Sequence, residues 1–332
     1  MKKWMMAATS AALLATLAGC KSSSGDDNDA PEVITPDSIT LNYLGRYSAN
    51  IFGASAAEIP AFDPVNQRIF IVNAQKGAVD VLNAADPANP ELLQELTVES
   101  ITEGAVVNSI AYKGGYLAVA VEAPTKTDNG WVALFDATSL EMLGYEQVGA
   151  QPDMVTFTPD GEYVLTANEG EPSTDYQIDP VGSISILGVS EGQLVDVRTA
   201  GFSAFNTQAD TLRSAGVRIY GPDASVEQDL EPEYIAISSD SSTAWVSLQE
   251  NNALAKVDIA TATVTDILPL GYKDHGTAGN GLDVSDSDDA INIDTWPGVL
   301  GMYQPDSIAA YEVDGETLLV TANEGDSRAW GE

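Results

Sequence analysis

The sequence predicts an all-β fold, a β-propeller of four-stranded antiparallel blades, and three observations carry that prediction. Apolar residues alternate with a period of two along most of the chain, with Gly, Pro, Asn and Asp at the breaks, the pattern of strands joined by tight turns. A motif also recurs: "QPDMVTFTPDGEYVLTANEGE" over Gln151–Glu171 returns as "YQPDSIAAYEVDGETLLVTANEGD" over Tyr303–Asp326. Helical periodicity is almost absent, and only "NTQADTLRSAG" (Asn206–Gly216) reads as a short helix.

Taken in order, the chain opens with "MKKWMMAATSAALLATLAGC": two lysines, an apolar run too short to span a bilayer comfortably, and a small-residue finish. Residues 1–19 therefore read as a secretory signal, and Leu17-Ala18-Gly19-Cys20 resembles the box at which bacterial lipoproteins are cut and lipidated. Cys20 is the only cysteine, which rules out an internal disulfide. Lipid chains on Cys20 would make the membrane contact, placing the protein in the bacterial cell envelope, at the outer membrane or cell surface. Residues 20–38, rich in Ser, Asp and Pro, read as a disordered acidic linker. The propeller domain follows over 39–332.

Five copies of the repeat are visible, beginning near Glu58, Asn108, Asp153, Glu233 and Asp306. Each opens with two strands around a turn. Two further strand-like runs follow the first four copies: "GAVDVLN" and "LLQELTV", "GWVALFD" and "EMLGYEQV", "GSISILG" and "QLVDVRT", "ALAKVDI" and "TVTDILPLG". Four antiparallel strands per unit, repeated radially, define a propeller blade. The fifth copy stops after its second strand, so the chain reads as C-terminally truncated and the ring as open. "TLNYLGRYSA" (Thr40–Ala49) reads as the outer strand of a blade completed by missing C-terminal strands.

Charge narrows the partners. Fifty acids face 14 bases, a net charge of −36, which repels nucleic acid and anionic lipid headgroups. Cations, neutral glycans, peptides and basic proteins remain.

The blades resemble the Tyr-Val-Thr-Asn type of propeller repeat, and "LGRYSANIF", "FIVNAQKGAVDVL", "TANEGEPS" and the long C-terminal run from "GYKDHGTAGNGLDVSDSDDAINIDTW" to "TANEGDSRAWGE" resemble the choice-of-anchor I family. The resemblance implies a surface or secreted bacterial propeller. Some family members carry names such as alkaline phosphatase or mesenchyme-specific cell surface glycoprotein, but a fold does not fix a chemistry.

Strand direction then locates a site. In an up-and-down blade, the start of strand one, the end of strand two and the link to the next blade share one face. That face collects Glu58, Asp153, Glu233 and Asp306 at strand starts, and Glu122, Glu169, Glu250 and Glu324 at strand ends. Asp153 should neighbour Glu169, and Asp306 should neighbour Glu324, at about 5 Å across paired strands. Like charges that close raise a pKa or require a cation; acids at strand ends also finish turns. Copy spacings of 50, 45, 80 and 73 residues place two insertions between a fourth strand and the next first strand. In the second, Asp283, Asp286, Asp288 and Asp289 offer oxygen ligands for Ca²⁺, or form a solvated acidic loop.

Two readings stay open: a binding module with a Ca²⁺-loaded acidic face, and a metal-dependent phosphoesterase. No nucleotide cofactor is expected, since "GTAGNG" (Gly276–Gly281) lacks the strand-to-helix context of a dinucleotide site. "GVSEG" (Gly188–Gly192) reads as a hairpin, not a nucleophile elbow. His275, the sole histidine, is the one candidate for acid–base catalysis. Lys273 and Arg328 are the nearby positive charges.

Overall fold

A computed structural model describes residues 40–54, 56–285 and 287–325. Residues 1–39, which include the stretches read as a signal and a linker and Cys20, lie outside the described residues. The chain divides at Tyr43/Leu44; of the first unit only residues 40–43 are described, without regular structure.

The second unit holds every strand among the described residues. Four sheets each contain four sequential strands: β1 (Pro60–Asp63), β2 (Arg68–Asn73), β3 (Ala78–Asn83) and β4 (Glu91–Leu96); β5 (Val106–Lys113), β6 (Tyr116–Glu122), β7 (Asn129–Asp136) and β8 (Met142–Ala150); β9 (Pro152–Phe157), β10 (Tyr163–Asn168), β11 (Ser183–Ser190) and β12 (Gln193–Gly201); β13 (Pro232–Ile237), β14 (Thr243–Leu248), β15 (Ala253–Asp258) and β16 (Thr263–Pro269). All pairings are antiparallel, in chain order. First strands of successive sheets lie against one another, β1 on β5, β5 on β9 and β9 on β13, with β13 on a strand of a fifth sheet; β12 meets β8 and β16 farther out. Sheets arrayed around their first strands are the blades of a propeller.

Burial explains why the middle strands are apolar throughout. "YLAVAV" of β6 and "AVDVL" of β3 are covered on both faces, because each blade packs between two others. Ala118, Ala120, Val132 and Leu134 of the second blade meet Val155, Phe157, Val164 and Leu187 of the third, and similar layers join the first to the second and the third to the fourth. Outer strands alternate or lie exposed, as in β4.

The fifth sheet comprises β19 (Pro305–Val313) and β20 (Glu316–Asn323), so the expected incomplete blade is present among the described residues. Its face is bare, with Val320 55% exposed, and Phe62 of β1 is 54% exposed at the other end of the array. Exposed apolar faces of this kind favour association.

Three local expectations need correction. Residues 40–50 form no strand; Gly45 packs against the backbone of Ala88 and Tyr47 donates to Asp80 Oδ2 at 3.2 Å, so the segment is held by the first blade's own turn and core rather than by a ladder. Part of the third blade's extra length lies between β10 and β11, at residues 169–182, where the sequence reading put all of it after the fourth strand. Both insertions also carry more structure than expected: the first holds α1 (Ala209–Ala215), inside the expected helix, and also α2 (Val226–Asp229); the second holds a two-stranded sheet, β17 (Tyr272–Asp274) with β18 (Leu300–Met302). Among the described residues no helix is long and apolar enough to cross a membrane.

Candidate functional site: an acidic face at the blade starts

One structural device repeats on the inner strands. The β9–β10 register jumps between Met154↔Ala167 and Pro152↔Asn168, leaving Asp153 as a bulge. Equivalent shifts leave out Asn108 in β5 and Asp306 in β19, and a wider one passes over Glu233 and Tyr234 in β13. A bulge re-aims the side chain it carries. Each of these four blades therefore turns one polar residue out of the ladder at the same level.

A second set of polar residues precedes the strand-opening proline. Gln151, Glu231 and Gln304 occupy this position and are 8%, 0% and 6% exposed. Gln151 and Gln304 have φ of 50° and 41°, the left-handed region that costs a non-glycine residue energy and recurs at functional sites. Strand-two ends supply the third set: Glu122, Glu169 and Glu250, the last two 7% and 4% exposed.

These sets converge. One carboxylate oxygen from each of Glu169, Glu231 and Glu250 lies within 4.8 Å of the others, the only such group of three acids among the described residues. Glu169 belongs to the third blade; Glu231 and Glu250 flank the first hairpin of the fourth. Close approach of the backbones brings the two blades together: a Cβ on Gly182 would overlap the Leu230 carbonyl oxygen and come within 2.8 Å of Pro232 Cδ. Gly130 meets Pro152 in the same way one blade earlier.

Amides steady the acids around this group. The Gln151 amide nitrogen donates to Glu169 Oε2 and, at 2.9 Å, to Glu171 Oε2. Asn108 donates to Glu122 Oε2 at 2.9 Å, and Gln249, with its nitrogen toward Glu233, donates to both carboxylate oxygens at 2.7 and 2.8 Å. Lys126 pairs with Glu171, while Arg218 donates to the Glu250 carbonyl oxygen at 2.7 Å and stacks over Tyr220. Lys126 and Arg218 serve the face, two cations that the sequence reading did not name; Arg328, which it did name, lies outside the described residues.

Electrostatics follow from the crowding. Burial first, then the charges of Asp306, Glu122, Glu171 and Glu250, push the Asp153 carboxyl up to about 6. Glu169 is raised well above the usual glutamate value, chiefly by burial and then by Glu171, Asp153, Glu233 and Glu250. Burial works against the charge on Lys126, but its bond to Glu171 overrides it and holds the ammonium above the ordinary lysine value.

The structure brings Asp153 and Glu169 onto adjoining strand ends, with Glu169 N donating to Gln151 O at 2.9 Å. Asp306 and Glu324 also flank a cross-strand pair, Pro305↔Asn323, but both are exposed and stand outside the three-carboxylate group. In the second insertion, the acids serve turns: Asp283 accepts from Ser285 N at 3.3 Å and Asn292 N at 3.0 Å, and Asp288 accepts from Ala290 N at 3.2 Å. Asp289 is exposed with φ of 54°, and Asp286 lies outside the described residues. His275 is 8% exposed; its Nδ1 bonds the Asn280 carbonyl oxygen at 2.7 Å, and its backbone bonds Val299 and Trp296. It fastens the insertion to itself.

Glu231 was not singled out in the sequence, although it precedes Pro232 as Gln151 precedes Pro152. Aligning the copies on their prolines would have exposed it.

The model of the choice-of-anchor I domain matches residues 58–332, nearly the whole extent of the blades. The chain belongs to the choice-of-anchor I family. Comparison with curated proteins finds no match. Among solved structures, the choice-of-anchor I chain is similar to the Swd1 β-propeller domain of Myceliophteria thermophila, with 12% identity, TM-score 0.42, and coverage of 61% of this chain and 56% of that one. A protein from Lactobacillus plantarum matches at 18% identity, TM-score 0.45 and coverage of 64% and 57%. A functionally unknown protein from Desulfotomaculum acetoxidans matches at 14%, TM-score 0.43 and the same coverage. The match thus spans little more than half the length of each of these structures, and function must be argued from the choice-of-anchor I chain's own residues.

Proposed function

We propose that this chain is an exported choice-of-anchor I propeller, held to the cell envelope by lipid on Cys20, that acts as a binding module through the acidic face at its blade starts. The supporting observation is that carboxylates from neighbouring blades open on one face, steadied by amides and salted with two cations. Such a face suits a neutral glycan, a peptide or a basic protein surface, and disfavours nucleic acid. Phosphoester hydrolysis is not proposed: no observation favours it, and the Nδ1 of His275 is held by Asn280.

The anchoring is checked by fractionation and by the mass of the mature N-terminus. The wild-type chain is expected in the detergent phase with a lipid-modified Cys20, and Cys20→Ser in the aqueous phase. Recognition is checked by presenting the immobilised chain with neutral glycans and with cationic and anionic peptides. Retention of a neutral or cationic probe, reduced about tenfold or more by joint Asp153→Asn and Asp306→Asn substitution, is the expected outcome, corresponding to at least 1.4 kcal/mol. An aqueous-phase wild type would overturn the anchoring, and retention of anionic probes alone would overturn the recognition.

A further inference from the structure

We infer that Glu169, Glu231 and Glu250 form a site for a single Ca²⁺ between the third and fourth blades, with the Gln151 side chain at its edge. The ion belongs to the acidic face and the inference rests on that face being the working one; its test reads the ion alone, so a failed partner assay and a failed ion assay are distinguishable.

Geometry carries the assignment. Oxygens bound to one Ca²⁺ stand about 2.3–2.6 Å from it and so lie within about 5 Å of each other. The three glutamate oxygens meet that limit without rearrangement, at 4.8 Å or less. The three residues are 7%, 0% and 4% exposed, so water does little to offset the close approach of three carboxyl groups. A second, independent observation points the same way. Gln151 is 8% exposed, its nitrogen is committed to Glu169 and Glu171, and its Oε1 has no hydrogen-bond partner among the described residues. A buried amide oxygen left in that state is costly, and it is a ligand type that Ca²⁺ accepts. Carboxylate and amide oxygens without nitrogen or sulfur select a hard cation.

Sequence connectivity adds a consequence. Glu231 ends the long first insertion, and Glu250 leads into Asn251, whose side-chain nitrogen bonds Arg218 O at 2.8 Å and Asp229 O at 2.7 Å within that insertion. An ion here would tie the insertion and two blades to one point.

The test uses the full chain stripped with chelator and then titrated with Ca²⁺, and in parallel with Mg²⁺, by calorimetry and thermal unfolding. A melting temperature raised by about 5 °C or more at hundredfold excess over Kd is expected, with one bound ion lost in Glu231→Gln and in Glu250→Gln but kept in Asp288→Asn. Wild-type protein whose melting is unmoved by Ca²⁺ would overturn the site, whether or not the variants fold. So would a stronger response to Mg²⁺, loss of the ion in Asp288→Asn only, or Glu→Gln variants that keep the full Ca²⁺-dependent rise.

Discussion

Gly182→Ala is expected to lower stability by about 3 kcal/mol, the top of the usual range for overpacking, and to lower the melting temperature by roughly 6 to 12 °C. The new methyl group would overlap the Leu230 carbonyl oxygen and crowd Pro232 Cδ at 2.8 Å. Neither neighbour is the yielding tip of a side chain. Relief requires a backbone shift in the segment that carries Glu231, so the three-carboxylate group should loosen along with the fold. Gly182 N also donates to Glu227 O at 2.9 Å, a bond that the same shift strains. Gly201→Ala is the control, because a Cβ there meets nothing within 4 Å. Thermal unfolding of both variants decides the matter; equal melting temperatures would mean that the blades do not approach as closely at Gly182 as described.

The second large effect is a reversal of the usual pH dependence. Chelator-treated protein is expected to be more stable at pH 5 than at pH 7.5. Asp153 titrates at about 6 in the folded chain against an ordinary value of 3.8. Between those values the folded state binds a proton that the unfolded state does not, so stability falls as pH rises through that window. From pH 5 to 7.5 only the stretch from 5 to about 6 is crossed, so at 1.36 kcal/mol per unit the loss is at most about 1.4 kcal/mol, reduced by solvent screening. Glu169 acts in the same direction. Groups held below their ordinary values, such as Asp240 at about 2 through bonds from Ser238 and Ser242, lose their contribution only at more acidic pH and do not oppose the effect. Asp153→Asn should flatten the profile and raise the melting temperature at pH 7.5. A wild-type melting temperature that climbs steadily from pH 5 to 7.5 would refute this account. Added Ca²⁺ should also flatten the profile, by neutralising Glu169 without a proton.

Much of this architecture was legible because it is local. Period-two alternation and Asp-Gly turns marked the hairpins, and β11–β12 turns at Glu191 and Gly192, with φ of 50° and 78°, where "GVSEG" read as a hairpin. The direction argument placed Glu169 and Asp153 together because it needs only strand order. It missed Glu231 because it compared the copies at the acids inside their first strands and not at the residue before the opening proline, and it weighted Asp283 and Asp288 because acidic density in a loop looks like ligand density. Those carboxylates accept from backbone N–H groups two residues away, a local use that composition does not separate from metal binding.

The sequence alone determined an acidic, repeated β-sheet chain with its carboxylates on one face, since alternation, turn residues and strand direction are properties of neighbouring residues. Which carboxylates meet was decided only by the tertiary structure. It depends on a bulge in four of the five inner strands and on glycine contacts between blades, where residues far apart in the chain come within a few ångströms and are buried together.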